Sequence, residues 1–84
     1  MGTDIIRIRE QLKTFIRDSF FAEGFADEDS FLGTGIIDSL GVLQLVSFVE
    51  SRFGLKVSDA DLVPENFDSV ARLAQYVESK KRAA

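Results

Sequence analysis

The chain has 84 residues, of which 45% are apolar and eight are phenylalanine, and its formal net charge is −4. This size and composition are typical of one small folded domain, here predicted over residues 1–84, and not of a disordered segment. Cysteine and histidine are both absent, which excludes disulfides, thiolate nucleophiles, most zinc sites and the usual general base, so self-contained catalysis is not expected.

The negative charge is concentrated in the middle of the chain. Residues 18–68 hold eleven acidic and two basic residues, a net charge of −9, whereas residues 1–17 carry +2 and residues 69–84 carry +3. Such a region repels nucleic acid and attracts basic partner surfaces, although acidic residues also keep a small domain soluble. No apolar run approaches the ~20 residues of a membrane span, and the N-terminus lacks the apolar h-region of a secretory signal, so neither is expected. We therefore expect a cytoplasmic monomer that binds neither nucleic acid nor membrane.

The first element is an amphipathic helix over about residues 4–20, with Asp4 as a suitable N-terminal cap. Its apolar residues recur at the spacing of one helix face; they are Ile5, Ile8, Leu12, Phe15, Ile16 and Phe20. A long loop, residues 21–38, follows. Loops above about 12–15 residues are uncommon in compact domains unless they are anchored or functional. The expected anchors are the apolar residues Phe25, Phe31, Leu32, Ile36 and Ile37.

Three acidic residues in this loop, Asp27, Glu28 and Asp29, are expected to lie in solvent. They do not form an EF-hand, because the glycine and the closing glutamate are not at the required offsets. No metal site is predicted.

The run GTGIIDSLG, residues 33–41, places Ser39 where a glycine loop turns into a helix. Gly33 and Gly35 give the loop access to positive φ, and Asp38 or Ser39 caps the helix. The first backbone N–H groups of a helix lack partners within it, and this end carries about half a positive charge. A phosphate diester attached to Ser39 would therefore lie in a favourable field. We predict that Ser39 carries the function through a phosphorylated attachment.

The helix that follows, residues 39–53, has one apolar stripe at the 3.6-residue period, formed by Val42, Leu45, Val46, Val49 and Phe53. This stripe is predicted to be the buried face. The residues near Ser39 that lie off the stripe are predicted to bind partner proteins; they are Leu40, Gly41, Leu43, Gln44 and Ser47. Glycine inside a helix costs roughly 0.5–1 kcal/mol relative to alanine, and a partner that must approach closely would explain Gly41.

Signals for the end of one helix and the start of a short one come next. Gly54 is placed to end the second helix in the left-handed conformation. Ser58 and Asp61 resemble a capping box, which predicts a single helical turn at about residues 59–63. Pro64 is expected to end that turn.

A last helix is predicted over about residues 68–80, with Asp68 as its cap. Its buried face is expected to contain Val70, Leu73, Ala74 and Val77. The predicted fold is therefore all-α, a small bundle with helices at about 4–20, 39–53, 59–63 and 68–80.

The motif Asp38-Ser39-Leu40-Gly41 after a glycine loop, with the stripe behind it and the run FGLKV, resembles the helix II region of acyl and peptidyl carrier proteins. The resemblance implies a right-handed four-helix bundle with a short third helix and a long first loop. It also implies that a phosphopantetheinyl transferase attaches 4′-phosphopantetheine from coenzyme A to Ser39. The thiol of that group would hold an acyl or aminoacyl group as a thioester. By the same resemblance, Asp38 orients the transferase or serves only as a cap.

The motif also bears on the carried group. Carriers of fatty acid biosynthesis resemble D-S-L-D with further acids along the helix, whereas Gly41 and Gln44 stand at those positions here. D-S-L-G is more similar to D-alanyl carrier proteins and to stand-alone carriers that adenylate-forming ligases load. The resemblance therefore implies an amino acid or a short acyl group, received from such a ligase and passed to downstream acyl-transfer enzymes, as in nonribosomal peptide synthesis.

Three other functions are compatible with parts of the sequence. One is a fatty-acyl carrier of lipid or polyketide synthesis. Another is a non-catalytic helical adaptor that binds a basic partner and uses Ser39 only as a cap. An enzyme with Ser39 as a nucleophile activated by Asp38 is disfavoured, because adjacent side chains at a helix start diverge and no oxyanion partner is present in the pattern.

Overall fold

The computed structural model describes residues 2–83 and the side chains of residues 4–82, so Met1 and Ala84 of the predicted domain lie outside the described residues. Five α-helices and one 3₁₀ turn follow one another, and the described part contains no strand: α1 Gly2–Phe20, α2 Phe31–Thr34, α3 Ser39–Phe53, the turn Asp59–Asp61, α4 Pro64–Phe67 and α5 Val70–Ala83. The predicted all-α small bundle is confirmed. Over residues 2–83, no helix combines the length and the apolarity needed to cross a bilayer.

The core lies between the three long helices. Helix α5 packs against α1 and also contacts α3 and α4. The fully buried residues of these helices are Leu12, Ile16, Leu45, Val49, Val70, Leu73, Ala74 and Val77. Burying one Leu, Ile or Val side chain contributes about 1.5–3 kcal/mol to folding. The apolar stripes predicted for α1 and α5 therefore supply the centre of the core.

The buried face of α3 is centred one position away from the predicted stripe. Leu45 and Val49 are fully buried, whereas Val42 and Val46 are only half-buried. Phe48, which lies off the predicted stripe, is half-buried because α1 approaches α3 on that side. Its ring stacks on Phe15 of α1 with 4.0 Å between centroids and 13° between planes.

The same helix contains a contact that governs how close α1 can come. Gly41 is buried, and a Cβ at this position would lie 2.8 Å from Cγ2 of Ile37 and 2.8 Å from Cε1 of Phe20. The expectation that Gly41 lies on a surface for partners is therefore wrong. The glycine is needed because the last residue of α1 packs against the first turn of α3.

The segment between α1 and α3 is held by a set of hydrogen bonds that the sequence pattern does not reveal. Asp68, at the junction of α4 and α5, accepts hydrogen bonds from the Ser30 hydroxyl and from the Leu32 N–H at 3.0 Å. The Phe31 N–H donates to the Asp68 carbonyl at 2.8 Å. Ser30 Oγ in turn accepts from the Gly33 N–H at 2.9 Å. These bonds create α2 inside the segment predicted to be a loop.

The apolar anchors of this segment are only partly as predicted. Phe31 and Ile37 are buried to 1% exposure, and Phe25 and Ile36 are half-buried. The prediction that Leu32 anchors the segment is wrong, because 51% of its surface is exposed.

Helix α5 begins two residues later than predicted. Asp68 is engaged with α2, and Ser69 caps the helix instead, with its Oγ accepting the Arg72 N–H at 3.1 Å. The helix continues to Ala83, beyond the predicted end at Lys80.

The connection before α5 also differs from prediction. Pro64 begins α4 instead of ending a helix, since proline suits the first helical position where its missing N–H is not needed. The preceding turn is limited to Asp59–Asp61, and the side chain of Ser58 does not cap it.

A hydrogen bond joins this turn to α5. Asp61 Oδ2 accepts a hydrogen bond from the Tyr76 hydroxyl at 2.8 Å. That bond lowers the pKa of Asp61, whereas burial and the nearby carboxylate raise the pKa of Tyr76.

Asp27 links helices α1 and α5, although its sequence context predicts a side chain in solvent. Its carboxylate contacts Lys13 Nζ at 2.6 Å and Arg9 Nη1 at 3.0 Å, and its side chain is 16% exposed. Its carbonyl accepts the Ala71 N–H at 2.9 Å, so Asp27 joins α1 to α5. Burial alone would raise the pKa of Asp27, but the hydrogen bonds and charges of Lys13 and Arg9 together hold it below its usual value.

This cross-link gives a pH-dependent contribution to stability. Because the pKa of Asp27 is lower in the folded state, its stabilisation is present above the unfolded pKa of about 3.9 and is lost as the pH falls below that value. We expect Asp27→Asn to lower the unfolding free energy by about 0.5–1 kcal/mol at neutral pH, since both cations are partly exposed. Urea unfolding at pH 7 and at pH 3 measures this. Glu28→Gln, at an adjacent acidic residue, is the control, and an equal loss for Asp27→Asn at both pH values would contradict the assignment.

The Gly41 contact predicts an unusual response to alanine. On helix propensity alone, Gly41→Ala would stabilise by roughly 0.5–1 kcal/mol. We expect it to destabilise by about 1–3 kcal/mol, because the new Cβ overlaps Phe20 and Ile37. Thermal or urea unfolding measures the change, and Ser51→Ala on the exposed face of α3 is the control. A variant as stable as the wild type would show that the two helices separate at little cost.

Candidate functional site

The start of α3 is fixed by Asp38. Its backbone is extended, with φ −92° and ψ −177°, and its Oδ1 accepts the Gly41 N–H at 2.7 Å. Its carbonyl accepts the Val42 N–H at 3.1 Å. Asp38, and not Ser39, is therefore the N-cap. The cap lies outside the helix and Ser39 becomes the first helical residue.

The glycine loop before this cap has one residue that requires its special backbone. Gly35 ends α2 with φ 79°, in the left-handed region that glycine adopts without strain. Gly33 lies inside α2 and does not have positive φ. The prediction that Gly33 and Gly35 both give the loop access to positive φ therefore holds for Gly35 alone.

Ser39 is exposed, and its hydroxyl makes no hydrogen bond to any of the described residues. The N–H groups of Ser39 and Leu40 belong to the first turn, where no carbonyl of the helix can reach them. The Gly41 N–H in the same turn is already bound by Asp38. The site thus presents a free hydroxyl beside two unpaired N–H groups at the positive end of a helix that runs from Ser39 to Phe53.

This arrangement fits a phosphate diester on Ser39. The hydroxyl is accessible and not committed to the cap, so forming an ester bond breaks no contact in the fold. The two N–H groups can donate to phosphate oxygens, and the helix dipole favours the negative charge. The residues present therefore suit 4′-phosphopantetheine, which is joined to its protein through such a phosphate.

Exposed apolar side chains surround Ser39. Leu40 is 76% and Leu43 is 61% exposed, and Gln44 and Ser47 also lie outside the core. The structure therefore keeps four of the five predicted partner-binding residues outside the core near Ser39 and places only Gly41 inside. The binding of partners by this surface stays a prediction.

Two features near the site were missed from the sequence. A small apolar cavity of about 110 Å³ lies one turn from Ser39, between α2, α3 and α4. Its walls include Phe31, Leu32, Val42, Leu62, Val63 and Phe67. The second feature is Phe21, which is 89% exposed directly after α1. Two adjacent phenylalanines at a helix end were the available signal, since only one of them can face the core.

Comparison with known proteins agrees with this geometry. The sequence model of the family described as "Phosphopantetheine attachment site" matches residues 7–77. D-alanyl carrier proteins of Streptococcus pyogenes serotypes M5, M49 and M1 are 35% identical to the chain over 57 residues, which cover 68% of this chain and 71% of each relative. A chain in a solved structure described as "Crystal structure of FAD-dependent dehydrogenase" has a TM-score of 0.71 and 28% identity, covering 79% of this chain and 97% of that chain.

The family match spans residues 7–20 of α1, all of α3 with Ser39, and residues 70–77 of α5, so it includes part or all of each long helix. The fold and the motif agree with it independently. The chain belongs to the phosphopantetheine attachment site family, and is a carrier protein whose cofactor is covalently attached 4′-phosphopantetheine.

Proposed function

We propose that this protein holds an amino acid or a short acyl group as a thioester on 4′-phosphopantetheine attached to Ser39. The observation that carries the proposal is the exposed Ser39 hydroxyl, free of hydrogen bonds to the described residues and set beside unpaired N–H groups at the capped start of α3. It lies within residues 7–77, which match the family. The protein itself is not an enzyme in this proposal, and its partners perform the chemistry.

Attachment requires a transferase, because the chain has no histidine and the Ser39 hydroxyl touches no base among the described residues. Ser39 Oγ attacks the β-phosphorus of coenzyme A, the bond to 3′,5′-ADP breaks, and the hydroxyl proton passes to a base of the transferase. Asp38 Oδ1 is occupied by the Gly41 N–H. Its Oδ2 accepts no hydrogen bond from the described residues, and we assign it to orienting the transferase.

Once attached, the group supplies a thiol that forms a thioester with the cargo. The protein's own contribution would be to hold the phosphate at the positive end of α3, on a residue exposed to solvent. The N–H groups of Ser39 and Leu40 are available to donate to the phosphate oxygens, which would hold the point of attachment in place.

Two observations support a small cargo. The cavity next to the site has a volume of about 110 Å³, which is below the ~150 Å³ of an engineered apolar cavity that admits benzene. An octanoyl chain would therefore have to part the helices, whereas a methyl-sized side chain would not. The second observation is the similarity to D-alanyl carrier proteins. We propose an adenylate-forming ligase as the loading partner.

The enzymes that receive the cargo are proposed more broadly. Downstream acyl-transfer enzymes remain the first candidates. The similar solved structure is described as that of an FAD-dependent dehydrogenase, so oxidation of the bound group by a flavoenzyme is a second reaction to test. The acidic middle of the chain would steer such partners if their docking surfaces are basic.

The attachment site is tested by intact mass. Incubated with coenzyme A and a broad-specificity phosphopantetheinyl transferase, the wild-type protein is expected to gain one phosphopantetheine. Ser39→Ala should gain none, whereas Ser47→Ala, at another serine of α3, should gain one. An unchanged wild-type mass, or equal gains in all three proteins, would contradict the proposal. Either result would favour a non-catalytic helical adaptor in which Ser39 has no covalent role.

The partner face is tested by a pair of leucines on opposite sides of α3. Leu43→Ala should slow modification or loading while changing the unfolding free energy by well under about 1 kcal/mol, because Leu43 is mostly exposed. Leu45→Ala is the matched control and should cost about 2–5 kcal/mol, because Leu45 is fully buried. If Leu43→Ala unfolds the domain, or leaves every rate unchanged, Leu43 does not serve partners.

A further inference from the structure

Phe21 has an exposed side chain on a backbone that disfavours it. It is 89% exposed, and its φ of 55° is the one positive value among the non-glycine residues of the described chain. A left-handed conformation costs an L-residue with a Cβ roughly 1–2 kcal/mol. Glycine is the usual residue at this position directly after a helix. Neither burial nor backbone preference explains a phenylalanine here.

The neighbour of Phe21 shows that the side chain is not needed to end α1. Phe20 faces inward, with its ring against Gly41 and edge-on to Phe15 at 6.0 Å. Phe21 makes no ring contact with another described aromatic residue. Phe20 thus completes the packing at this end of the bundle, and Phe21 projects into solvent. Backbone strain of this kind is concentrated at ligand clamps and other functional positions.

The position of Phe21 relative to Ser39 follows from the same contact. The ring of Phe20 packs against Gly41, and Gly41 is two residues after Ser39. The end of α1 is therefore beside the start of α3. Phe21 directly follows one member of that contact in the chain and Leu40 directly precedes the other, so both exposed side chains lie at the end of the bundle that carries Ser39.

Among the partners of a carrier, the transferase is the one whose active site must reach Ser39 Oγ itself. Enzymes that act on the thioester meet the far end of a long arm and can dock elsewhere. The transferase surface must therefore cover the immediate surroundings of Ser39. The exposed acids Asp18, Glu23 and Asp38 are near this end of α1 and α3 in the chain, so the covering surface is expected to be basic around an apolar centre.

We propose that Phe21 is an anchor for the phosphopantetheinyl transferase, seated in an apolar pocket of that enzyme while Ser39 enters its active site. This inference rests on the proposed attachment to Ser39. An aromatic side chain that is already exposed has only two torsions to order, so it gives a partner a large contact at little entropic cost. Aromatic residues also dominate the binding energy of many interfaces.

Phe21→Gly separates this role from a structural one. Glycine adopts positive φ without strain, so the variant should be at least as stable as the wild type in urea unfolding. We expect its kcat/KM for modification by a broad-specificity transferase with coenzyme A to fall about tenfold, chiefly through KM. Phe21→Tyr keeps the ring and should retain most of the wild-type rate. Ile6→Ala removes an apolar side chain that is 57% exposed in the first turns of α1 and should change nothing.

The outcomes distinguish this inference from the proposed function. If the wild type gains the group on Ser39 and Phe21→Gly is modified at the wild-type rate, Phe21 is not an anchor while the carrier function stands. An equal loss in Phe21→Gly and Ile6→Ala overturns the anchor as well, since the effect would not be local. If the wild type is never modified, the proposed function itself fails.

Discussion

The packing of the Phe20 ring, at the end of α1, against Gly41 in the first turn of α3 is the constraint on which the site depends. A Cβ at Gly41 would lie 2.8 Å from Cε1 of Phe20 and 2.8 Å from Cγ2 of Ile37, so the Phe20 ring can pack on the first turn of α3 only because this position has no side chain. The contact lies in the first turn of α3, which Asp38 caps and which begins with Ser39. A propensity cost of roughly 0.5–1 kcal/mol in the helix is therefore offset by packing in the turn that carries the candidate site.

Polar cross-links extend this constraint to the rest of the connection between α1 and α3. Asp68 binds the start of α2 through the Ser30 hydroxyl and two N–H groups, and Asp27 joins Arg9 and Lys13 of α1 to the start of α5. The chain between the two long helices is thereby held in its middle, at Asp27 and at residues 30–32. The site can then be presented by a short segment, Gly35 to Asp38, without a large core of its own. A domain of this size has few apolar contacts to spare for that purpose.

Much of the fold could be predicted because it depends on local pattern. The stripes of α1 and α5 and the glycine loop before Ser39 are repeated or contiguous signals, and they located the long helices and the candidate site. The predictions that were wrong concern residues whose contacts are with residues distant in the sequence. Asp68 and Asp27 looked like a cap and a solvated acid, because their partners are far away in sequence. Gly41 looked exposed, because periodicity does not report how near another helix comes.

Pro64 and Phe21 show a different limit. Proline is compatible with both the end and the first turn of a helix, and only the path of the chain after Asp61 decides between them. The positive φ of Phe21 could not be predicted from its residue type, since glycine is the residue expected at such a position. Positions where local preference is violated are the ones that sequence reasoning misses, and here one of them lies at the end of the bundle that carries the site.

The fold presents a site already formed around Ser39, and we expect it to receive the cofactor without rearrangement of the core. Amide chemical shifts of the uniformly ¹⁵N-labelled protein, recorded before and after attachment of phosphopantetheine, measure this. We predict changes confined to residues 38–43 and their neighbours at the end of α1, with the amides of Leu12, Leu45 and Leu73 unmoved. Changes centred on another serine, or spread through the buried faces of α1 and α5, would contradict a preformed site at Ser39.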